Sequence, residues 1–217
     1  MAVQQFELAI DVGAVLAAAP LGWLAHRSAS RLADGQVSAV SAPAAAAVAM
    51  AMAASAVALG AAQPLGVVLG WALLVLAIVD AATLRLPDIV NLPLIAVGLA
   101  ASAAGWIGAA QPFWPRLLDH LAGAGLGYAA LAGLAMLYRR ARGRSGLGMG
   151  DAKLTAAGGA WLGAAALPSM VLIGCAVAFG WVAIRWLRSG QTSLQRPLPF
   201  GPGLAAGVWI AWVFASR

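Results

Sequence analysis

Apolar residues run through this chain in long blocks, each broken by a short polar or glycine/proline stretch, and the blocks read as eight helices. The first covers about Phe6 to Ala25 and closes at His26, Arg27 and Arg31. A link through Asp34 and Gln36 leads to a second, about Val37 to Leu59, rich in alanine. Gly60 to Pro64 predicts a tight turn, and a third block runs from Leu65 to about Ala82, ending near Asp80 and Arg85. The fourth covers about Ile89 to Ala109 before Gln111, Pro112, Pro115 and Arg116 interrupt the pattern. A fifth runs from Leu117 to Tyr138, a sixth from Asp151 to about Ala166, a seventh from Ser169 to Trp186 and an eighth from Leu198 to Ala215. Crossing a bilayer takes roughly 20 apolar residues per helix, and most of these blocks approach that length.

Composition narrows the class. With 63% hydrophobic and 9% charged residues over 217 positions and a mean hydropathy of +0.89, the chain is too apolar for a water-soluble domain of this size. The expectation is an all-α polytopic membrane protein of about eight transmembrane helices. It forms a single integral membrane domain over residues 1–217, with no separate soluble domain and lipid-facing surface in place of a polar shell. Glu7 and Asp11, where a signal peptide would carry basic residues, argue against a cleaved leader. A net charge of +6 invites a nucleic-acid reading, but the arginines sit in short loops between apolar blocks, which is the pattern of topology determinants.

Orientation follows from those cations. With the N-terminus outside, the loops after the first, third, fifth and seventh blocks are cytoplasmic. They hold Arg27, Arg31, Arg85, Arg139, Arg140, Arg142, Arg144, Arg185, Arg188 and Arg196, with Lys153 at the start of the sixth block. Arg116 and Arg217 fall on the other side. Both termini are therefore expected on the non-cytoplasmic side. Asp80 and Asp151 then lie at one depth near the cytoplasmic face, while Asp11 lies towards the outer half, too far away to join them.

The polar stretch from Arg139 to Lys153 is where chemistry is concentrated. Its glycines Gly148 and Gly150 let backbone approach closely to Asp151, and an ionisable residue at the edge of an apolar block points to function. Two carboxylates held together in a low-dielectric setting cannot both ionise cheaply, so they share a proton. One can then take a proton from water while the other donates to a peptide carbonyl. Nothing competes with this pair. His26 and His120 fall on opposite sides of the membrane, and the spacing of metal ligands is missing. The single cysteine, Cys175, rules out an intrachain disulfide and a cysteine-ligated zinc, and reads as a small buried hydrophobe. No cofactor and no metal are expected. Gly158, Gly159 and Gly163 read as packing positions.

At these residues a resemblance appears. Gly148-Met149-Gly150-Asp151-Ala152-Lys153-Leu154 resembles the GxGDxKL signature of the type IV prepilin peptidases, a family of intramembrane aspartic proteases. Asp80, followed by Leu86-Pro87-Asp88 and Asn91-Leu92-Pro93-Leu94, is similar to that family's first motif, and Pro199-Phe200-Gly201-Pro202 to the motif opening its last helix. Ala160-Trp161-Leu162-Gly163 also fits its sixth helix. The likeness extends over about residues 65 to 215.

The resemblance implies an aspartic endopeptidase with Asp80 and Asp151 as catalytic pair and Gly148, Met149, Gly150 and Lys153 in the active-site loop. Pro87, Asp88 and Asn91 stand as supporting residues. Asp88 is expected to N-cap the fourth helix, and Lys153 to anchor its helix at the headgroups or bias the pair. The implied substrates are type IV prepilins or type II secretion pseudopilins, cut after the glycine closing a short basic leader, in the inner membrane of a bacterium. Larger members carry paired CxxC motifs after the first helix, supporting zinc binding and N-methylation. Here the link from His26 to Gln36 has no cysteine, so methyltransferase activity is not implied and a separate methyltransferase is an open partner. Other expected contacts are membrane lipid, with no nucleic acid. Asp119 and His120 are read as an outer-interface cap. Two alternatives stand beside this. A signal-peptide-peptidase-like protease would show Tyr-Asp where the chain has Val79-Asp80. A proton- or cation-coupled transporter would use the same acids, though it would favour mid-membrane acids and inverted repeats.

Overall fold

The computed structural model describes residues 18–33, 42–58, 64–143, 146–189 and 198–215, and every regular element among them is helical. Helix α1 covers 18–32, and α2 to α5 cover Ala42–Ala58, Pro64–Thr83, Asp88–Ala104 and Phe113–Arg142. Helix α6 is Met149–Leu162, a 3-10 turn follows at Ala164–Ala166, and α7 and α8 are Leu167–Ser189 and Gly201–Ala215. The expected blocks from the second onward are recovered, with ends moved by a few residues. Asp11, the polar link at Asp34 and Gln36, the turn at Gly60, and Arg144 and Arg196 lie outside the described residues, as does the first block up to residue 17.

Where the ends moved, glycine conformation and local side-chain contacts explain it. The first helix does not close at Ala25 but continues through His26, Arg27 and Arg31. None of these is a helix breaker. The Arg27 guanidinium lies over the Trp23 ring at 5.2 Å, and the Ser30 hydroxyl donates to the His26 carbonyl at 2.8 Å. Helix α4 stops at Ala104 rather than Ala109 because Gly105 turns left-handed at φ 77° and donates back to the last carbonyls. Gly163, at φ 80°, ends α6 four residues before the expected Ala166.

By length and composition Leu65–Thr83, Phe113–Arg142 and Ala164–Arg188 can cross a membrane, while Ala42–Val57, Asp88–Ala104 and Gly201–Ala215 are shorter apolar helices. Helices α5 and α7 turn Leu118, Leu126, Leu134, Leu172 and Phe179 outward, a surface suited to lipid rather than water. Helix α6 is the reverse. Nearly every residue from Asp151 to Trp161 is buried, so α6 is the centre of the bundle.

Lipid tails are as apolar as leucine, so helices in a membrane hold together by close packing and hydrogen bonds. The chain follows that rule. Helices α5 and α6 meet at Gly123 and Gly159, where a Cβ on either would run into the other's backbone. The Trp161 indole donates to the Leu94 carbonyl at 2.9 Å and packs over Gly98, which ties α4 to α6. Helices α3 and α8 run antiparallel, with Gly66 beneath Trp212 and Gly70 beneath Trp209, and the two indoles stack at 5.4 Å. This pairing brings the last turn of α3 to the first turn of α8.

Candidate active site

Asp80 sits in that last turn and is 5% exposed, and Asp151, in the first turn of α6, is 7% exposed. Helix α3 ends just beyond Asp80. Leu84 takes a left-handed conformation at φ 55° and donates its N–H to the Asp80 carbonyl at 2.9 Å, while the Thr83 hydroxyl donates to Val79. The chain then runs extended through Pro87 into α4. Leu86 of this connection lies on Gly150, where a Cβ would come within 2.7 Å of the Leu86 Cβ. Glycine at 150 therefore lets the α3–α4 turn close onto the start of α6, and that contact draws the two acids to one end of the bundle.

Each carboxylate is held by a glycine N–H. Gly201 donates to Asp80 Oδ2 at 2.9 Å, and Gly148, the residue capping α6, donates to Asp151 Oδ2 at 3.2 Å. The Thr155 hydroxyl donates to the Asp151 carbonyl at 2.8 Å, so its own polarity is satisfied one turn further on. Oδ1 of each acid has no hydrogen-bond partner among the described residues. The packing of Leu86, just beyond Asp80, on Gly150, next to Asp151, sets the two acids at the same end of the bundle. Two buried acids at one end of the bundle, each anchored through one oxygen, are the groups that can take a proton from water and give one to a carbonyl. Among the described residues there is no group of three or more His, Cys, Asp or Glu that could hold a metal.

The supporting residues divide. Met149 is exposed, a Cβ on Gly148 would lie 3.3 Å from Asp151 Oδ2, and one on Gly150 would meet Leu86. Asp88 is not the N-cap of α4. Pro87 occupies that position, in extended backbone and without a side-chain bond, and Asp88 is the first helical residue. Both Asp88 oxygens accept from Lys153 Nζ, at 2.6 and 2.7 Å, so Lys153 clamps the start of α4 to the start of α6 rather than reaching for headgroups. Asn91 is wholly buried, and among the described residues neither its amide nitrogen nor its oxygen has a partner. At the far end, of the cap expected from Asp119 and His120 only Asp119 bonds a chain end. Asp119 accepts from the Ala164 N–H at 3.2 Å, and His120 is buried with Nδ1 2.9 Å from the Ala160 carbonyl. Arg116 is buried too, donating to the Ser102 and Gln111 carbonyls at 2.7 and 2.9 Å. Gly201 is the residue that reading from the sequence missed. Its only signal was its place in the Pro199-Phe200-Gly201-Pro202 motif.

Comparison with known proteins gives this geometry a setting. A model of the type IV leader peptidase family matches residues 67–184. The chain is 36% identical over 151 residues to a prepilin leader peptidase/N-methyltransferase of Pseudomonas aeruginosa, a match covering 69% of this chain and 49% of that protein. Proteins of the same name match from Aeromonas hydrophila, at 38% identity over 68% of this chain and 48% of the relative, and from Burkholderia pseudomallei, at 42% over 63% and 41%. The chain thus spans about half the length of these curated relatives. No solved structure matches it.

Proposed function

The chain belongs to the type IV leader peptidase family, and from that premise we propose that it is an intramembrane aspartic endopeptidase removing the leader of type IV prepilins or type II secretion pseudopilins. Asp80 and Asp151 are its catalytic residues. The observation that carries this reading is two buried carboxylates brought from different helices to one end of the bundle, each anchored through Oδ2 by a glycine N–H and each with no Oδ1 partner among the described residues.

In the mechanism this supports, the two acids share one proton. The ionised one draws a proton from a water as that water attacks the scissile carbonyl carbon, and the protonated one donates to the carbonyl oxygen. Collapse of the tetrahedral intermediate breaks the C–N bond, with a proton returned to the leaving amine. The glycine N–H groups keep both carboxylates in place throughout, since neither can rotate without losing its bond. Gly148, Met149 and Gly150 shape the loop in front of Asp151. Lys153 and Asp88 hold the floor beneath it, and Pro87 fixes the approach to α4. Asn91 supports this region from the first turn of α4.

The protein is read as a bacterial inner-membrane enzyme of about eight helices with both termini outside and the acids at the cytoplasmic face. The arginine asymmetry and the apolar outer faces of α5 and α7 support that placement. The 217 residues hold one cysteine, so the methyltransferase half of the relatives' name is not carried over.

The test is leader removal from a prepilin in membranes or detergent by the parent, Asp80→Asn and Asp151→Asn. Cleavage by the parent and none by either variant is expected. Full cleavage by one variant overturns the pair, and no cleavage of any prepilin or pseudopilin by the parent overturns the peptidase reading.

A further inference from the structure

The face that α5 turns to α6 carries Gly123, Gly127, Leu131 and Ala135, all buried, at the spacing of one side of a helix. Gly123 meets Gly159 and Gly127 meets the Thr155 carbonyl, so the two helices run antiparallel. The next position on that face is Tyr138. At its level α6 has given way to the loop that precedes it, and the Tyr138 ring lies against Gly146. A Cβ on Gly146 would come within 2.6 Å of Tyr138 Cδ1 and 2.9 Å of its Cζ. Leu134 and Leu137, close by on α5, are 57% and 65% exposed, against 37% for Tyr138. Tyr138 is therefore the large side chain here that faces protein. Two residues beyond Gly146 comes Gly148, whose N–H donates to Asp151 Oδ2 at 3.2 Å. Leu147, between them, packs against the core of the bundle.

We infer that Tyr138 is a positioning residue, its ring holding the loop at Gly146 so that the Gly148 N–H stays on Asp151. For its effect on catalysis the inference rests on the aspartic peptidase reading; for its effect on the loop it does not. Gly146, Gly148 and Gly150 alternate along this segment, and glycine loses more conformational freedom on ordering than any other residue. A backbone donor in such a segment keeps its aim only where packing fixes the chain around it. Leu86 packs on Gly150, on one side of Gly148, and Tyr138 packs on Gly146, on the other. The bond to Asp151 lies between these two contacts. A tyrosine serving only as an interfacial anchor would need no bare backbone beneath its ring. The contact is made by ring carbons, so phenylalanine can replace tyrosine and an aliphatic side chain cannot.

Two measurements on the full-length protein test this. The first is steady-state cleavage of a prepilin. Displacements near 1 Å can cost on the order of a hundredfold, so kcat for Tyr138→Ala should fall about tenfold or more, with KM within about twofold of the parent. Tyr138→Leu fills the place without a ring and should show the same fall while keeping the fold, and Tyr138→Phe should cleave as the parent does. The second reads the loop without activity. Leu147→Cys in a Cys175→Ser background is labelled with a maleimide. Adding Tyr138→Ala or Tyr138→Leu should speed that labelling severalfold, and adding Tyr138→Phe should leave it unchanged.

Unchanged labelling in both ring-less variants overturns the inference whatever the activity, and so does parental kcat in both. A raised KM with unchanged kcat would make Tyr138 a substrate contact, and equal losses in Tyr138→Phe and Tyr138→Ala would assign its role to the hydroxyl. Either result overturns it. If labelling responds as expected while the parent cleaves no prepilin or pseudopilin, the hold on the loop stands and the peptidase reading falls. The two can thus fail separately.

Discussion

At the scale of single residues, Asp80 depends on one glycine. A Cβ at position 201 would lie 2.7 Å from Asp80 Oδ2 and 2.8 Å from its Cγ, inside any real contact distance. Gly201→Ala keeps the N–H donor and still has to push the carboxylate aside. Displacements near 1 Å can cost on the order of a hundredfold in rate. The expected outcome is therefore a fall in kcat of at least tenfold, with KM for prepilin little changed and helical circular dichroism intact. Steady-state cleavage checks it, and a Gly201→Ala protein with parental kcat would show that the Gly201 bond does not set the position of Asp80. Both acids were legible in the sequence, because they stand at the ends of apolar blocks and at one depth. Their holding groups were legible only in part. Gly148 adjoins Asp151 along the chain, whereas Gly201 acts through backbone that no pattern of side chains reveals. The same limit explains Lys153. Its partner Asp88 is 65 residues away, and a lysine near a helix start reads as a headgroup anchor until the other helix is seen. The pair is half-exposed, so its energetic value is small, about 1 kcal/mol or less. Its use is positional.

At the scale of elements, α6 carries the site and its burial depends on how closely its neighbours approach. Where α5 crosses it, Gly123 and Gly159 sit backbone to backbone. Gly127 likewise faces the Thr155 carbonyl, with a Cβ there 2.8 Å from it. Thr155 follows Asp151 by one turn, so any shift of α6 away from α5 reaches the acid. Gly159→Val should force the helices apart and destabilise the protein by about 1–3 kcal/mol, the usual cost of overpacking. Thermal unfolding in detergent measures that, and cleavage should fall more than the loss of folded protein explains. Equal loss of both would mean that α6 position and the site are not coupled. The sequence marked Gly158, Gly159 and Gly163 as packing positions; Gly158 and Gly159 do pack against neighbouring helices, whereas Gly163 is left-handed at φ 80° and ends α6 instead. The end of α1 was misread for a related reason. His26, Arg27 and Arg31 look like a loop by charge, but a cation over Trp23 and alanines on the buried face allow the helix to continue.

At the scale of the molecule, charge distribution and aromatic placement bear on how the bundle sits in its membrane. The acids and the exposed end of α5 at Arg139, Arg140 and Arg142 lie towards one end. Trp106, Phe113 and Trp114, all exposed, mark the other, as expected of an aromatic belt at an interface. Between them α5 is 30 residues long, about 45 Å at 1.5 Å per residue and more than a hydrocarbon core. Its ends must emerge on opposite sides if it spans. With the arginine end in the cytoplasm, Arg142→Cys should react with a membrane-impermeant maleimide in inverted vesicles and not in intact spheroplasts. Gln111→Cys, in the exposed turn before α5, should show the opposite pattern, each in a Cys175→Ser background. Labelling of both from one side would mean that α5 does not cross. The reversed pattern would put Asp80 and Asp151 at the outer face. There they could not meet a leader that is still in the cytoplasm, so the proposed substrate, not only the topology, would fall with it.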